Sequence, residues 1–474
     1  MVKKRYLLSI FALAVAILGH ATDKPNVLFI AIDDLRPNLG CYGDTQALTP
    51  NIDRLAKQGT LFERAYCQVP ICMASRVALL TGIRVPDRND GTTSRLKTPF
   101  VTMPKWFGEN GYQTLSNGKI FHVVKDRAED WSRAPWQAMR HGRELSEEQY
   151  EHFWLSPDSR NFNHPDLLNR GPYCEAADVP DNAYQDGQLA GKTIADLKQL
   201  AETGEPFFVG CGFWKPHLPF NAPKKYWDLY DPETLELAQN SFLPENGAGA
   251  TGFSPEFCLY GWTGEPNTAI TRELVQTDEG FWREATHGYY ACASYVDAQV
   301  GKLLDALDEF GLRDNTIVVL WGDHGWLLGE HSLWGKHNTF ELTMQVPLII
   351  SAPGMQPGQR TANLTETIDI YPTLCDLLGL PKPESLDGKS LLPVLENPEA
   401  RVKSEAFGCW KDSATVKTDR FRYTEWKKQG AVSARMLFDH QKDPDENVNV
   451  ADHPEYAEAI NELSAKIKQA YPAF

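Results

Sequence analysis

The most regular feature of the chain is a series of short, continuously apolar runs separated by stretches with helical spacing. The runs predict buried strands at residues 26–32, 206–211, 316–321 and 346–351. Helices are predicted at residues 49–58, 76–81, 183–201 and 288–310, and Gly311 stops the last of them. Continuous apolar strands that alternate with helices are typical of a mainly parallel sheet covered on both faces. The pattern therefore predicts an α/β fold.

Three other parts of the chain lack this alternation. Residues 126–179 are polar and rich in Trp, Pro, Arg and Glu, and residues 231–279 contain many Gly and Pro. Long loops of this kind often build the substrate pocket of α/β enzymes. Beyond prolines 381 and 383, strand-like runs at 414–418, 421–426 and 434–438 precede a predicted helix at 455–471. We expect a large α/β domain over residues 22–396 and a small α+β domain over residues 397–474.

The first 21 residues have the features of a secretory signal peptide. Lys3, Lys4 and Arg5 form a basic start, residues 7–18 are apolar, and Gly19-His20-Ala21 is a small-x-small cleavage site. No later segment reaches about 18 uninterrupted apolar residues, the minimum for a membrane-spanning helix. We therefore expect an exported protein, periplasmic or secreted, without stable membrane insertion.

Charge and cysteine content narrow the possible partners. The formal net charge is −16, which argues against a nucleic-acid partner because phosphate binding favours a basic surface. An anionic substrate would need a local cluster of Lys, Arg and His to overcome this charge. The nine cysteines lack paired metal-binding spacings. Some cysteines could pair after export, or most could remain free buried thiols.

Polar residues follow three of the predicted strands. The first strand ends at Asp33-Asp34, and the third runs into Asp323-His324. In open α/β sheets, ligands gather beyond the carboxyl ends of the strands, and carboxylates there suit a hard divalent cation. An acidic pair alone is more often a cap or a surface turn, but two such pairs in one sheet favour a metal site. The second strand leads to His217, which could be a ligand-facing residue or an ordinary packed ring.

Other candidate residues precede and open the predicted helix at 76–81. Cys72 follows Pro70 and stands near a helix N-terminus, an environment that binds anions and is expected to acidify a thiol. Arg76 lies one turn later and can point back to the same end.

Lys119 and His122, in a separate segment, are three residues apart and would share a face if the chain there were helical. Without further context, these residues could be a structural cysteine, a surface lysine and a packed histidine.

The pattern Cys72-x-Ala-Ser-Arg76, followed by Leu80-Thr81-Gly82, resembles the signature of the type I sulfatases. Further blocks match at residues 111–122, at the Lys-Pro-His-Leu-Pro segment 215–219, and at residues 325–337. The resemblance runs from Asn26 through residues 369–374 and reaches residues 437–444. The Phe121-His122 block, the Lys-Pro-His-Leu-Pro segment and the Asp323-His324 pair together look most like the iduronate-2-sulfatase branch. Many relatives have Asn where His324 stands.

The resemblance implies an alkaline-phosphatase-like fold, with a large, mostly parallel sheet sandwiched by helices. It implies that a formylglycine-generating maturation enzyme oxidises Cys72, and that the formylglycine hydrate is the nucleophile. It also implies one Ca²⁺ per chain, and that the ion is bound by Asp33, Asp34, modified Cys72, Asp323 and His324.

The remaining roles that the resemblance implies concern the sulfate ester itself. Arg76, Lys119 and Lys336 would hold the sulfuryl oxygens, His217 would protonate the leaving oxygen, and His122 would act as the base. Three further residues, which could equally be packing residues, are candidates for substrate contact: Trp326, Trp334 and His337.

The implied activity is that of a sulfuric ester hydrolase acting on a sulfated oligosaccharide. The sulfated sugar would be a 2-O-sulfated uronate at the end of a glycan. Two alternatives remain open at this stage. One is a phosphonate or phosphodiester hydrolase of the same superfamily, and the other is a non-catalytic protein that binds sulfated glycans.

Overall fold

The computed structural model describes residues 24–85, 93, 96, 99–122, 127–140, 143–144, 153–156, 159, 171–247, 253–261, 268–472 and 474. The predicted signal peptide and much of the loop predicted at 126–179 lie outside these residues. In chain order the strands are β1 (Asn26–Ile32), β2 (Thr60–Tyr66), β3 (Gln113–Gly118), β4 (Met139–Arg140), β5 (Arg143–Glu144), β6 (Cys174–Ala177), β7 (Phe207–Phe213), β8 (Phe220–Pro223), β9 (Thr316–Gly322), β10 (Leu327–Leu328), β11 (Trp334–Gly335), β12 (Gln345–Val346), β13 (Leu348–Ser351), β14 (Gln359–Glu366), β15 (Ala406–Trp410), β16 (Ser413–Lys417), β17 (Phe421–Lys428) and β18 (Ala431–Asp439). The helices are α1 (Pro50–Gln58), α2 (Cys72–Thr81), α3 (Met103–Glu109), α4 (Gln185–Thr203), α5 (Lys224–Trp227), α6 (Arg272–Thr277), α7 (Glu279–Glu309), α8 (Glu341–Met344), α9 (Ile370–Leu377), α10 (Leu392–Glu396) and α11 (Ala457–Ala470).

An eight-stranded sheet forms the centre of the fold. Its order is β12-β2-β13-β9-β1-β7-β3, and β14 also pairs with β2. The predicted strands β7, β1 and β9 run parallel, and so does β3, which was not predicted, whereas β13 is antiparallel to both β9 and β2. The Gly322 N–H, at the end of β9, donates to the Pro347 carbonyl just before β13. This hydrogen bond places the start of β13 at the carboxyl edge of the sheet. The next strand must therefore run back, and the sheet is mixed.

Both faces of this sheet are buried, which explains why its central strands are apolar throughout. In β1, Val27, Phe29 and Ala31 face a core that α2, α3 and α9 complete. Leu28 and Ile30 face the opposite core, against α1, α4 and α7. The sandwich of helices around the sheet is therefore the one expected from the sequence.

Helix α7 begins nine residues earlier than predicted. Its N-cap is Asp278, whose carboxylate accepts a hydrogen bond from the Phe281 N–H at 2.8 Å. Such a cap satisfies one of the free N–H groups at a helix start. Polar residues in the first turns of α7 conceal this start from a reading based on apolar spacing.

The C-terminal part contains a four-stranded antiparallel sheet, β15–β18, and helix α11. Strand β15 was not predicted. Residues of this sheet and of α11 share an apolar cluster with Val69, Ala74 and Val77, at and before helix α2. The C-terminal unit therefore supports the helix that begins at Cys72. All nine cysteines are free thiols, and none of the described helices is long and apolar enough to cross a membrane.

Candidate active site

The carboxyl edge of the central sheet brings the predicted residues together. Asp33 and Asp34 follow β1, Asp323 and His324 follow β9, and His217 follows β7. All of these side chains are buried. Lys119 leaves β3 at the same edge, and Cys72 opens α2 there. Four separated parts of the sheet and one helix thus converge on one cluster.

The acidic residues and His324 form a compact group of potential ligands. The backbone N–H of Asp34 donates to Asp323 Oδ1 at 3.0 Å, and Asp34 has a φ of 59°, in the left-handed region. The hydroxyl of Tyr289 donates to the Asp34 carbonyl at 2.8 Å. A non-glycine residue in this conformation persists only where its surroundings hold it, which is common at functional sites.

The donor set fits a divalent cation. Ligand atoms of Asp33, Cys72, Asp323 and His324 all lie within 4.8 Å of one another, and so do those of Asp33, Asp34, Cys72 and His217. Asp34 Oδ2 and His324 Nε2 are buried and have no hydrogen-bond partner among the described residues. Such buried atoms call for a partner. His324 Nε2 lies 3.2 Å from Asp34 Oδ1, a separation that two ligands of one ion can have at metal–ligand distances of about 2.4 Å.

Three cations are embedded among these carboxylates. Lys119 Nζ lies 2.5 Å from Asp33 Oδ2, and Lys336 Nζ lies 2.7 Å from Asp34 Oδ1. Burial would raise the pKa of Asp33, but the charges of Lys119 and Arg76 outweigh it and hold the pKa well below its usual range. For Asp34, burial prevails over Lys336 and His324 and raises the pKa.

Arg76 lies beneath the cluster, with its guanidinium fully buried. Its Nε donates to Asp323 Oδ2 at 2.9 Å, and one terminal nitrogen lies 3.2 Å from Asp33 Oδ1. The other terminal nitrogen donates to the Lys119 and Ile120 carbonyls. These contacts favour a role in orienting the carboxylates over the direct contact with sulfate that the resemblance implied.

Cys72 occupies the N-terminus of α2, and its Sγ lies 3.5 Å from Lys336 Nζ. The expectation of an acidified thiol is wrong for the unmodified residue. Burial and the nearby charges of Asp33 and Asp323 outweigh Lys119 and Lys336 and raise the thiol pKa to about 12. The thiol is therefore held protonated, which makes a simple thiolate nucleophile a poor description of this residue.

His217 lies on a turn that other buried groups hold in place. Its Nδ1 lies 2.5 Å from the Leu218 carbonyl, so Nδ1 carries a proton and Nε2 is left to face the site. Burial lowers the pKa of His217 well below its usual value, and the charges of Lys336 and Lys119 lower it further.

Lys215 and Asp186 support this turn, and sequence analysis did not identify either role. Lys215 Nζ donates to the carbonyls of His217 at 2.8 Å and Pro219 at 2.5 Å. Asp186 accepts from the backbone N–H groups of Trp214 and Lys215, both at 2.9 Å. The end of the second predicted strand and the match to the Lys-Pro-His-Leu-Pro block pointed to this turn, but neither indicated the supporting contacts of Lys215 and Asp186.

His122 follows β3 on a bend, not on a helix, so helical spacing does not govern its position. Its Nδ1 is buried without a hydrogen-bond partner among the described residues. Burial, and after it the charge of Lys119, lowers its pKa well below the usual value. A neutral imidazole near the cluster is a suitable proton acceptor.

The three residues considered for substrate contact have different surroundings. Trp334 is only 2% exposed, and its ring packs 5.4 Å from that of Phe281, which favours the alternative that it is a core residue. Lys336 Nζ lies over the ring of Trp326, 5.2 Å from its centroid. His337 stacks on Trp410 of the C-terminal sheet at 4.8 Å.

One further residue of the site, Glu256, comes from the long loop predicted at residues 231–279. Its Oε1 lies 3.0 Å from Lys336 Nζ and 4.0 Å from His217 Nε2. The loop has no periodic pattern, so the sequence indicated a pocket-building segment without singling out this side chain.

Comparison with known proteins identifies the family of this chain. The family model described as Sulfatase matches residues 25–380, and that described as N-sulphoglucosamine sulphohydrolase, C-terminal, matches residues 329–472. Mouse (Mus musculus) iduronate 2-sulfatase is 35% identical over 408 residues, which cover 77% of this chain and 70% of the mouse protein.

Solved structures share the fold. A phosphonate monoester hydrolase of Agrobacterium radiobacter aligns with a TM-score of 0.76 at 23% identity, covering 95% of this chain and 96% of the hydrolase. A structure described as a 2-O GAG sulfatase aligns with a TM-score of 0.69 at 23% identity, covering 95% of this chain and 94% of its own. At these identities the likeness concerns the fold, which is of the alkaline-phosphatase type that the family resemblance implied. The extent of the family match, together with the 35% identity to a named sulfatase, means that this chain belongs to the sulfatase family of enzymes, which hydrolyse sulfate esters.

Proposed function

We propose that this protein removes sulfate from a sulfated glycan, acting from the chain end on a 2-O-sulfated uronate. The observation that carries the proposal is the position of Cys72, buried among three carboxylates with the Lys336 ammonium 3.5 Å from its sulfur. Transfer of a sulfuryl group needs an oxygen nucleophile, fixed positive charge and a proton donor for the leaving oxygen. Each requirement has a candidate within this cluster.

A bound calcium ion and the conversion of Cys72 to formylglycine complete the proposal. Asp33, Asp34, Asp323 and His324 would hold a calcium ion beside residue 72. Formylglycine at position 72 would supply an oxygen nucleophile with a second hydroxyl for the release of sulfate, and the calcium ion would supply Lewis acidity. Asp34 Oδ2 and His324 Nε2, which are buried and have no hydrogen-bond partner among the described residues, support the metal assignment.

The chain's own residues bind and orient the ester and move its protons. Lys336 and Lys119 would bind the sulfuryl oxygens, while Arg76 keeps Asp33 and Asp323 in position. The negative charge of the bound ester would favour the doubly protonated form of His217, which would then donate its Nε2 proton to the departing sugar oxygen. His122 would accept a proton when sulfate is released.

The sugar is proposed from two lines of support. The first is the 35% identity to mouse iduronate 2-sulfatase. The second is the Asp323-His324 pair, which resembles that branch of the family. We further propose that a formylglycine-generating enzyme matures the protein, that residues 1–21 direct its export, and that residues 22–396 and 397–474 are its two domains.

The test is sulfate release, measured by ion chromatography, from a panel of defined sulfated oligosaccharides. A terminal 2-O-sulfated uronate should be the preferred substrate, and Cys72→Ala should abolish release. The matched control is Cys67→Ala, which also removes a buried thiol but leaves residue 72 intact.

Three outcomes would contradict the proposal. Faster turnover of an aryl phosphonate than of any sulfate ester would favour the phosphonate hydrolase alternative. Tight binding of sulfated glycans without turnover would favour a binding protein. Full activity in Cys72→Ala would refute the assignment of the nucleophile.

A further inference from the structure

Glu256 places a carboxylate in a site that must accept an anionic ester. Its side chain is 14% exposed, and its Oε1 pairs with Lys336 Nζ at 3.0 Å. Burial opposes the charged form, but the charges of Lys336 and His337 prevail and lower the pKa of Glu256. The site therefore contains a negative charge whose purpose the chemistry of sulfate transfer does not explain.

The second oxygen of this carboxylate, Glu256 Oε2, is buried and has no hydrogen-bond partner in the part of the chain that the structure describes. The nearby Ser254 hydroxyl lies 3.0 Å from His337 Nδ1 instead. Gly335 lies beside this oxygen, since a Cβ built there would stand 3.4 Å from Oε2, at van der Waals contact. A buried acceptor without a partner in the protein is available to a donor from a ligand.

The neighbours of Glu256 indicate which part of the ligand it meets. In the proposed function Lys336, 3.0 Å from Glu256 Oε1, binds the sulfate, and His217, 4.0 Å from it, faces the leaving oxygen. A carboxylate would repel the sulfuryl oxygens, so it must face the sugar beyond the ester oxygen. The hydrogen-bond donors of a sugar nearest to its sulfated oxygen are the hydroxyls on the adjacent carbons.

We propose that Glu256 is a specificity-determining residue that accepts a hydrogen bond from the hydroxyl on the carbon next to the sulfated one. This inference rests on the proposed function and deepens it. In a 2-O-sulfated uronate the hydroxyl concerned is on C3, because C1 carries the ring oxygen and the glycosidic bond. A second sulfate at that position would face the carboxylate as a like charge and be rejected.

The test removes the hydrogen-bond donor, which is the 3-hydroxyl of the sugar, and the acceptor, which is the Glu256 carboxylate, separately and together. The probes are the methyl glycoside of 2-O-sulfated iduronate and its 3-deoxy analogue, and the enzymes are the wild type and Glu256→Ala. A hydrogen bond to a charged group contributes about 1.5–3 kcal/mol, so removing the 3-hydroxyl should lower the wild-type kcat/KM about 10- to 100-fold. In Glu256→Ala, removal of the 3-hydroxyl should lower kcat/KM less than about 3-fold, because the acceptor is already absent.

A matched control separates recognition from structural damage. Ser254→Ala removes a polar group from the same loop but leaves Glu256, so it should keep the full cost of the 3-deoxy substitution. The Glu256→Gln variant should tolerate a 3-O-sulfated probe better than the wild type, because it lacks the charge. Binding of both sugars to Cys72→Ala, with and without Glu256→Ala, measures the same preference without turnover.

The outcomes distinguish this inference from the proposed function. An equal 3-deoxy cost in the wild type and Glu256→Ala would overturn the role of Glu256 while leaving sulfatase activity intact. If the wild type hydrolyses 4-nitrophenyl sulfate but neither uronate, the proposed sugar is wrong. In that case, 2-hydroxycyclohexyl sulfate and cyclohexyl sulfate test the role of Glu256. Loss of the hydroxyl should lower kcat/KM by the same factor in the wild type and not in Glu256→Ala. An equal ratio of kcat/KM for the two substrates in both enzymes would overturn the role.

Discussion

Replacement of Arg76 by Met tests whether the buried charges of the site act as one network. The guanidinium joins Asp33 and Asp323 at 3.2 and 2.9 Å, and all three side chains are fully buried. Removing one partner of a buried ion pair costs about 3–5 kcal/mol, because the other charge stays buried without compensation. Lys119 still pairs with Asp33, so we expect a loss of about 3 kcal/mol, at the lower end of this range.

The assay is urea unfolding followed by tryptophan fluorescence, with a chelator and with excess calcium. The matched control is Arg54→Met, which breaks the exposed ion pair with Asp305 at 2.7 Å and should cost less than about 1 kcal/mol. Calcium should reduce the loss in Arg76→Met, since the ion would offset the carboxylates that the arginine no longer meets. A loss under about 1 kcal/mol in chelator, or an equal loss with and without calcium, would refute the reasoning.

Three further predictions concern the surroundings of the site. Lys215→Met should lower kcat for sugar sulfates about 10- to 100-fold, because it releases the turn that positions His217. The kcat for 4-nitrophenyl sulfate should fall much less, since that leaving group needs no acid. Equal losses of kcat on both substrates would count against this role of Lys215. Gly212→Ala would place a Cβ 2.2 Å from the Lys119 carbonyl oxygen and should lower both Tm and activity, whereas Gly191→Ala, in an open position on α4, should leave both intact; equal melting temperatures for the two variants would contradict this. The pKa of Glu366 is about 2 instead of the usual 4.5, because Lys403 and Arg84 outweigh its burial, so its stabilising contribution is present above pH 4.5 and is lost as the pH falls toward 2. The stability difference between the wild type and Glu366→Gln should therefore shrink over this window, and a constant difference in unfolding midpoints would contradict the assignment.

The parts of the fold that were predictable are those in which burial leaves a regular trace. Strands β1, β7 and β9 are covered on both faces, so their sequences are apolar throughout and end at the residues that turn into the site. The direction of β13 was not predictable from its composition. It depends on where the preceding loop leaves the chain, which is a property of the tertiary path.

The site was predictable where motifs mark it and not where long-range contacts create it. Lys215 and Asp186 are 29 residues apart, and neither position has a pattern that relates it to the other. The acidified thiol was a local expectation from the helix N-terminus. This expectation fails because burial opposes ionisation of the Cys72 thiol, and so do the charges of Asp33 and Asp323, which follow distant strands.

The central claim is that residue 72 acts as formylglycine and not as a thiol. Mass spectrometry of the peptide carrying Cys72, from protein co-expressed with a formylglycine-generating enzyme, tests it directly. We predict an aldehyde at position 72, trapped by a hydrazine reagent, in an amount that rises in proportion to sulfatase activity. A fully active preparation in which residue 72 is an intact thiol would contradict the account.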